Sequence, residues 1–119
     1  MPRAFPHEKL IVYQKAASLY EPIRRLVADL RPPHLHLGEQ ALRSASSIPL
    51  NIAEGACEFS RGDKARFYRM ALRSAGETCA ALDLMRRSGL AKAEQSQEIM
   101  TQLGEIIAIL TALTKPTAR

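Results

Sequence analysis

The sequence predicts an all-α protein: one antiparallel four-helix bundle with up-down-up-down topology over residues 1–119. Apolar residues recur at three- and four-residue intervals in four segments, which is the spacing of amphipathic helices. The segments are joined by short connections, so neighbouring helices must run antiparallel. Aromatic residues make up only 5% and Trp is absent. The core must therefore consist mainly of Ala, Leu, Ile and Met, which suits closely packed helices.

The first helix is predicted over residues 7–31. Pro6 fits its start, because proline lacks the N–H that a first turn leaves unpaired. Pro22 lies inside the apolar pattern, which resumes in phase, so we expect a kink near residues 18–20 and no break. The consecutive prolines Pro32 and Pro33 end the helix. The predicted inward face comprises Leu10, Tyr13, Ala17, Tyr20, Leu26, Val27 and Leu30.

The second helix is predicted over residues 37–57. Pro49 is expected to kink it, which frees the backbone carbonyl of Ala45. The hydroxyl groups of Ser46 or Ser47 could satisfy backbone groups freed in this way. The predicted inward face comprises Leu42, Ala45, Ile48, Ile52 and Ala56.

The third helix is predicted over residues 61–88, between two terminal signals. Ser60 and Asp63 form a variant of the capping box at the start. Gly89 suits the position just beyond the end, where a left-handed backbone is common. The predicted inward face comprises Phe67, Ala71, Ser74, Thr78, Leu82 and Met85, with Tyr68, Leu72, Ala75 and Cys79 beside it.

The fourth helix is predicted over residues 91–114, and Pro116 prevents its continuation. Its spacing of apolar residues is that of a helix with one buried side. The predicted inward face comprises Ile99, Leu103, Ile106, Ile107, Leu110 and Leu113.

No familiar catalytic or metal-binding motif is present in the sequence. A di-iron bundle needs Glu-x-x-His on two helices, and no Glu is followed three residues later by His. Phosphate-binding glycine loops and Gly-x-Ser-x-Gly are also missing. We therefore predict no catalytic residue, no metal site, no cofactor and no enzymatic activity. The histidines His7, His34 and His36 are interpreted as ordinary helix-start and loop residues, and Cys57 and Cys79 as free thiols.

A polar stripe runs along the second helix. Its members are Arg43, Ser47, Asn51 and Glu54, with Leu50 beside them. The stripe is either a solvated face or a hydrogen-bonded network between helices or subunits. Eleven residues separate its two charges, which therefore need partners elsewhere, such as Glu77 or an arginine. The candidate structural or interface residues are Arg43, Ser47, Leu50, Asn51, Glu54, Ser74 and Glu77, with Ile11 and Ile23 as further interface candidates.

Basic residues are concentrated on the third helix. The chain has a net charge of +5, and residues 61–87 carry seven basic against three acidic residues. Such a row either follows phosphates or forms a solubilising face with pairs such as Arg73–Glu77. Aromatic residues do not interleave with it, so base stacking is not predicted. The candidate nucleic-acid-binding residues are Arg61, Lys64, Arg66, Arg69, Arg73 and Arg87.

Three stretches of the sequence carry a family resemblance. They read Leu10-x-Val12-Tyr13-Gln14-x-Ala16, then Arg43…Ser47-Ile48…Asn51-Ile52-Ala53-Glu54-Gly55, then Ser60-x-x-Asp63-x-x-x-Phe67-x-x-x-Ala71-x-x-Ser74-x-x-Glu77. This pattern resembles the bacterial four-helix bundle family, also called the S23 family, whose members are encoded in intervening sequences of 23S rRNA genes. The family is related to the accessory variability protein of diversity-generating retroelements.

The resemblance implies an antiparallel bundle assembled as a homopentamer. The retroelement relatives bind a reverse transcriptase and nucleic acid through a basic surface, whereas other members have no established activity. The family has no catalytic residue to carry over, and the matches at Asn51, Glu54, Ser74 and Glu77 imply a structural or interface role. Tyr13 stands where the family often has Trp. Nothing in this chain indicates a retroelement.

The leading hypothesis is a non-enzymatic, homo-oligomeric binding or scaffold protein that binds RNA or DNA through the basic face. The alternative is a scaffold for an unidentified protein partner, with incidental positive charge. The longest uncharged stretch, residues 44–53, has ten residues, too few to span a membrane. The first six residues lack the apolar segment of a signal peptide. We therefore expect a cytoplasmic protein that does not contact membranes.

Overall fold

The computed structural model describes residues 5–116 and confirms the all-α prediction. Its four helices are α1 (Ile11–Val27), α2 (Leu35–Ala56), α3 (Arg61–Arg87) and α4 (Ala93–Thr114). Each helix packs against its neighbours in sequence, and α1 closes the ring against α4, whereas the diagonal pairs do not approach. This is the arrangement of an antiparallel up-down-up-down bundle. Among these helices, none is both long and apolar enough to cross a membrane.

Both ends of α3 have the predicted caps. The Ser60 hydroxyl accepts a hydrogen bond from the backbone N–H of Asp63 at 3.0 Å. At the other end Gly89 has a φ of +72°. The Leu90 N–H donates to the carbonyl of Met85 at 2.8 Å, and the Gly89 N–H donates to that of Arg86 at 3.1 Å. This pair of bonds is the Schellman arrangement, which satisfies carbonyls that the helix end leaves open.

The first helix is shorter than predicted at both ends. Before it, the chain forms turns in which the N–H of Leu10 donates to the carbonyl of His7 at 3.1 Å. After it, Leu30 folds back towards α2, and its Cδ1 lies 3.0 Å from where a Cβ on Gly38 would be. The other predicted boundaries agree within two residues. The helices α1 and α2 continue through Pro22 and Pro49 respectively.

The inward face predicted for α1 is correct only in part. Val27 is buried, and Leu10, Tyr13, Leu26 and Leu30 are half-buried against the core. The predicted face is rotated by roughly a quarter turn from the observed one at 100° per residue. Tyr20, assigned to the core, is exposed, whereas Ile23 is 0% exposed. Two sides of α1 carry apolar residues at helical spacing, and the tyrosines made the wrong side look continuous. The buried residues of α1 are Val12, Ala16, Leu19, Ile23 and Val27.

The predicted core faces of α2, α3 and α4 are largely confirmed. Leu113 is an exception, because it lies in the exposed last turn of α4. Tyr68, placed beside the α3 face, is instead buried, and Phe67 is half-buried. The largest fully buried apolar side chains are Leu19, Ile23, Ile48, Ile52, Leu82, Met85, Leu103, Ile106 and Leu110.

Candidate functional site

A line of hydroxyl groups joins α2 to α3, and we call it the hydroxyl seam (Ser44, Ser47, Ser74 and Thr78). The Ser74 hydroxyl donates to Ser47 Oγ at 2.8 Å. Thr78 Oγ1 lies 2.8 Å from Ser44 Oγ, and both of these residues are buried. The seam is thus a hydrogen-bonded network between two helices of the same chain, and it fixes their antiparallel register.

Asn51 extends the hydroxyl seam along α2. Its Nδ2 donates to the backbone carbonyl and to the Oγ of Ser47, both at 2.9 Å. The Ser46 hydroxyl donates instead to the carbonyl of Arg43. The hydrogen bonds of Ser46 and Ser47 are thus not made to the carbonyl of Ala45, which Pro49 frees. Of the predicted interface residues, Ser47, Asn51 and Ser74 have their polar groups engaged within the chain.

The remaining interface candidates lie on the outside of the bundle, with one exception. Arg43 and Glu54 are exposed, and Leu50 is 62% exposed on the outer side of α2. Glu77 accepts a hydrogen bond from Gln40, so it is not the partner proposed for Arg43. Ile11 is 64% exposed, consistent with a surface role. The exception is Ile23, whose complete burial excludes it from any interface.

Three arginines form an exposed row on the side of α3 that faces away from the core. We call Arg66, Arg69 and Arg73 the arginine row. Within residues 5–116, no ion pair involves any of them, so the Arg73–Glu77 pair of the solubilising alternative is not formed. The Arg66 guanidinium lies 4.4 Å from the centroid of the Phe67 ring. The row therefore presents positive charge to solvent without a direct ion pair to offset it.

Lys64, predicted to belong to the basic face, lies beside Arg61 and Arg69 but has its ammonium group engaged within the chain. It is half-buried, and its Nζ donates to the carbonyl oxygens of Ala56 at 3.1 Å and Gly55 at 3.4 Å. These carbonyls are among those that the end of α2 leaves without helical partners. Lys64 thus caps α2, where its charge also favours the negative end of the helix dipole.

Arg87 is set apart from the arginine row. It lies roughly 21 Å beyond Arg73 along the axis of α3, and its Nε donates to Asp83 Oδ2 at 2.8 Å. Arg86 donates to the other carboxylate oxygen at 2.7 Å. The hydrogen bonds from Arg87 and Arg86 lower the pKa of Asp83 from its ordinary value. The positive charge at this end of α3 is thus partly offset.

A groove of about 880 Å³ lies between the start of α3 and the end of α4. Its lining includes four cationic residues, with apolar surface from Tyr68 and Leu113. The cationic residues are Arg61, Lys64, Arg69 and Lys115. Burial raises the pKa of the Tyr68 phenol. The groove extends the basic surface from the arginine row towards α4.

Both cysteines are free thiols. Cys79 is half-buried, and burial raises its pKa, which keeps the thiol protonated and poorly reactive. Cys57 is free and exposed at the end of α2. Across residues 5–116, no group of three His, Cys, Asp or Glu side chains is arranged to hold a metal ion.

Phe59 is a surface feature that sequence reasoning missed. It lies in the α2–α3 connection, two residues before Arg61, and is 99% exposed. An apolar residue just before a helix cap ordinarily packs on the fourth helical residue, which here is Lys64. The lysine at that position, where an apolar residue would pack on Phe59, was the sequence signal that the ring is exposed.

The chain is similar to a known protein family and to a solved structure. The family model described as 23S rRNA-intervening sequence protein matches residues 8–112. A solved structure from Bacteroides thetaiotaomicron VPI-5482 is similar, with 28% sequence identity and a TM-score of 0.79. The alignment covers 89% of this chain and 100% of that one, a protein with unknown function from the S23 ribosomal protein family. No curated protein matches the chain.

Proposed function

Because the chain belongs to the 23S rRNA-intervening sequence protein family, and a similar solved structure is of a protein with unknown function, we propose a function from its surface. We propose that this protein is a cytoplasmic, non-enzymatic homo-oligomer that binds the phosphate backbone of RNA or DNA. The arginine row is the observation that carries the proposal. Guanidinium groups form two-pronged hydrogen bonds with phosphate, and no ion pair within residues 5–116 engages these three.

Oligomerisation would increase the affinity of this small charged surface for nucleic acid. Three arginines along roughly 10 Å of helix contact few phosphates, but several copies in one assembly bind with avidity. A pentamer, which the family resemblance implies, would repeat the row five times. A ring needs two different contact patches on each subunit. The exposed apolar side chains of Leu50 and Ile11 are the candidates that we favour for these patches.

Neutralising two members of the arginine row should weaken binding to nucleic acid. We expect R69Q/R73Q to bind labelled duplex DNA and structured RNA less tightly than the unmodified protein. Each lost phosphate contact should also reduce the slope of log affinity against log salt by about 0.9 on a duplex. Affinity is measured by fluorescence anisotropy at several salt concentrations, with RNA, single-stranded DNA and duplex DNA compared.

The matched control is R24Q/R25Q, which makes the same charge change on the exposed surface of α1. Both control arginines already pair with Glu21, so their loss should change binding less than that of the row. Equal effects of the two variants would show that only net charge matters. Unchanged affinity and salt slope in R69Q/R73Q would exclude the arginine row from binding.

Replacing Leu50 with aspartate should dissociate the oligomer. A charge buried in a subunit contact is costly unless it is paired, so L50D should shift the mass towards the 13.2 kDa of one chain. Light scattering after size-exclusion chromatography gives the mass. The control is L84D, since Leu84 is also exposed but lies on α3. A monomeric unmodified protein would contradict the oligomer, and an unchanged L50D mass would exclude Leu50 from the contact.

A protein-binding scaffold is the second candidate function, and the exposed apolar residues of α1 and α2 favour it. Ile11 and Leu50 would then contact a different protein. This function predicts a partner that is captured equally well at low and high salt, because apolar contacts are not screened. It also predicts that R69Q/R73Q retains that partner.

A further inference from the structure

Phe59 projects from an ordered turn at the start of α3. On one side of it, the N–H of Glu58 donates to the carbonyl of Gly55 at 3.1 Å. On the other side, Ser60 caps α3 through the N–H of Asp63. The backbone around Phe59 is therefore held in place while its ring is 99% exposed.

Among residues 5–116, this ring packs against no other side chain, because it is 99% exposed. Its natural packing partner would be the fourth residue of α3, but that residue is Lys64, whose ammonium group is bonded to carbonyls of α2. Burying a phenylalanine ring is strongly favourable. A ring left completely in water on a fixed turn gains that stabilisation only from a binding partner.

The positive charges farther along α3 favour a polyanion as that partner. Arg61 follows two residues later, and the arginine row continues along the same helix. Glu58 directly precedes Phe59 and Asp63 follows it by four residues, so phosphates are expected along the row and not at the ring itself. A base has no charge and can occupy that position. Phenylalanine rings stack on unpaired bases, whereas paired bases in a duplex are not accessible to them.

We propose that Phe59 stacks on an unpaired base of a single-stranded nucleic acid whose phosphates lie along the arginine row. This inference rests on the proposed nucleic-acid function and deepens it, because it specifies unpaired nucleotides as the preferred ligand. The interaction adds contact with a base to the charge contacts, without requiring a particular sequence.

Removing the ring should weaken single-strand binding selectively. F59A is expected to bind a single-stranded oligonucleotide about 5- to 150-fold less tightly, as loss of one stacked base does. Affinity for a duplex of the same sequence should not change. The salt dependence should also stay the same, since no phosphate contact is lost. F59W should restore binding. Equal loss for single strands and duplexes, or no loss for either, would overturn the proposal.

A tryptophan at position 59 also reports stacking directly. The chain has no Trp, so F59W carries a single one, and stacking on a base should quench its fluorescence. A single-stranded oligonucleotide should quench F59W and leave L84W, with its Trp roughly 34 Å along α3 from Arg61, unchanged. Quenching of both variants, or of neither, would overturn the proposal.

The two proposals fail in different ways. If the unmodified protein binds no oligonucleotide even at low salt, the nucleic-acid function and the stacking proposal both fail. If R69Q/R73Q weakens binding while F59A does not, only the stacking proposal fails. A blue shift of F59W on phosphatidylserine vesicles, with no response to oligonucleotides, would overturn both in favour of a membrane surface.

Discussion

Replacing Gly55 with valine is expected to lower the free energy of unfolding by about 3 kcal/mol, the upper end of the usual range for overpacking. Gly55 lies where α2 and α3 approach closely. A Cβ at this position would lie 2.6 Å from Cε1 and 2.9 Å from Cδ1 of the Tyr68 ring, and 3.2 Å from Cβ of Phe67. The ring is buried and cannot move into solvent. The helices would therefore have to separate.

The matched control is Gly76→Val in the exposed part of α3, where a Cβ meets nothing within 4 Å. Valine has a slightly higher helix propensity than glycine, so this variant should be about as stable as the unmodified protein, or slightly more so. Urea denaturation at one fixed protein concentration compares the two, because oligomerisation makes stability depend on concentration. Equal free energies of unfolding for Gly55→Val and Gly76→Val would show that the added methyl groups fit between α2 and α3 without separating the helices.

The ends of α3 could be predicted because local chemistry determines them. Ser60 offers a side-chain acceptor to the first turn, and Gly89 adopts the left-handed backbone that most residues avoid. Neither effect depends on the rest of the bundle. The start of α1 has no such marker, since Leu10 occupies the capping position without a side-chain hydrogen bond. That boundary was accordingly predicted four residues too early.

The candidate site could be predicted only in part, because its geometry depends on which helices meet. The exposed arginine row follows from spacing along one helix. The pairing of Ser47 with Ser74 and the capping of α2 by Lys64 join different helices, and their register is not visible in a periodic pattern. The exposure of Phe59 likewise depends on the absence of a neighbour, which one segment alone does not reveal.

Replacing Ile23 with alanine is expected to lower the free energy of unfolding by about 2–5 kcal/mol. Ile23 is fully buried on the face of α1 that meets the rest of the core. The substitution removes three carbon atoms and leaves a cavity that a close-packed interior refills only partly. Because domains of this kind are typically stable by about 5–15 kcal/mol, the loss would be a large part of the total.

The control is the same substitution at Ile11, which lies on the same helix and is 64% exposed. Ile11→Ala should change the free energy of unfolding by about 0.5 kcal/mol or less. Both are measured by urea denaturation, at a low protein concentration and again at a high one. If Ile11→Ala lowers the free energy of unfolding only at the high protein concentration, where oligomers form, Ile11 belongs to a subunit contact. If Ile23→Ala is no more costly than Ile11→Ala at either concentration, the observed core face of α1 is incorrect. The face containing Tyr13 and Tyr20, which the apolar spacing had indicated, would then be the one that meets the core.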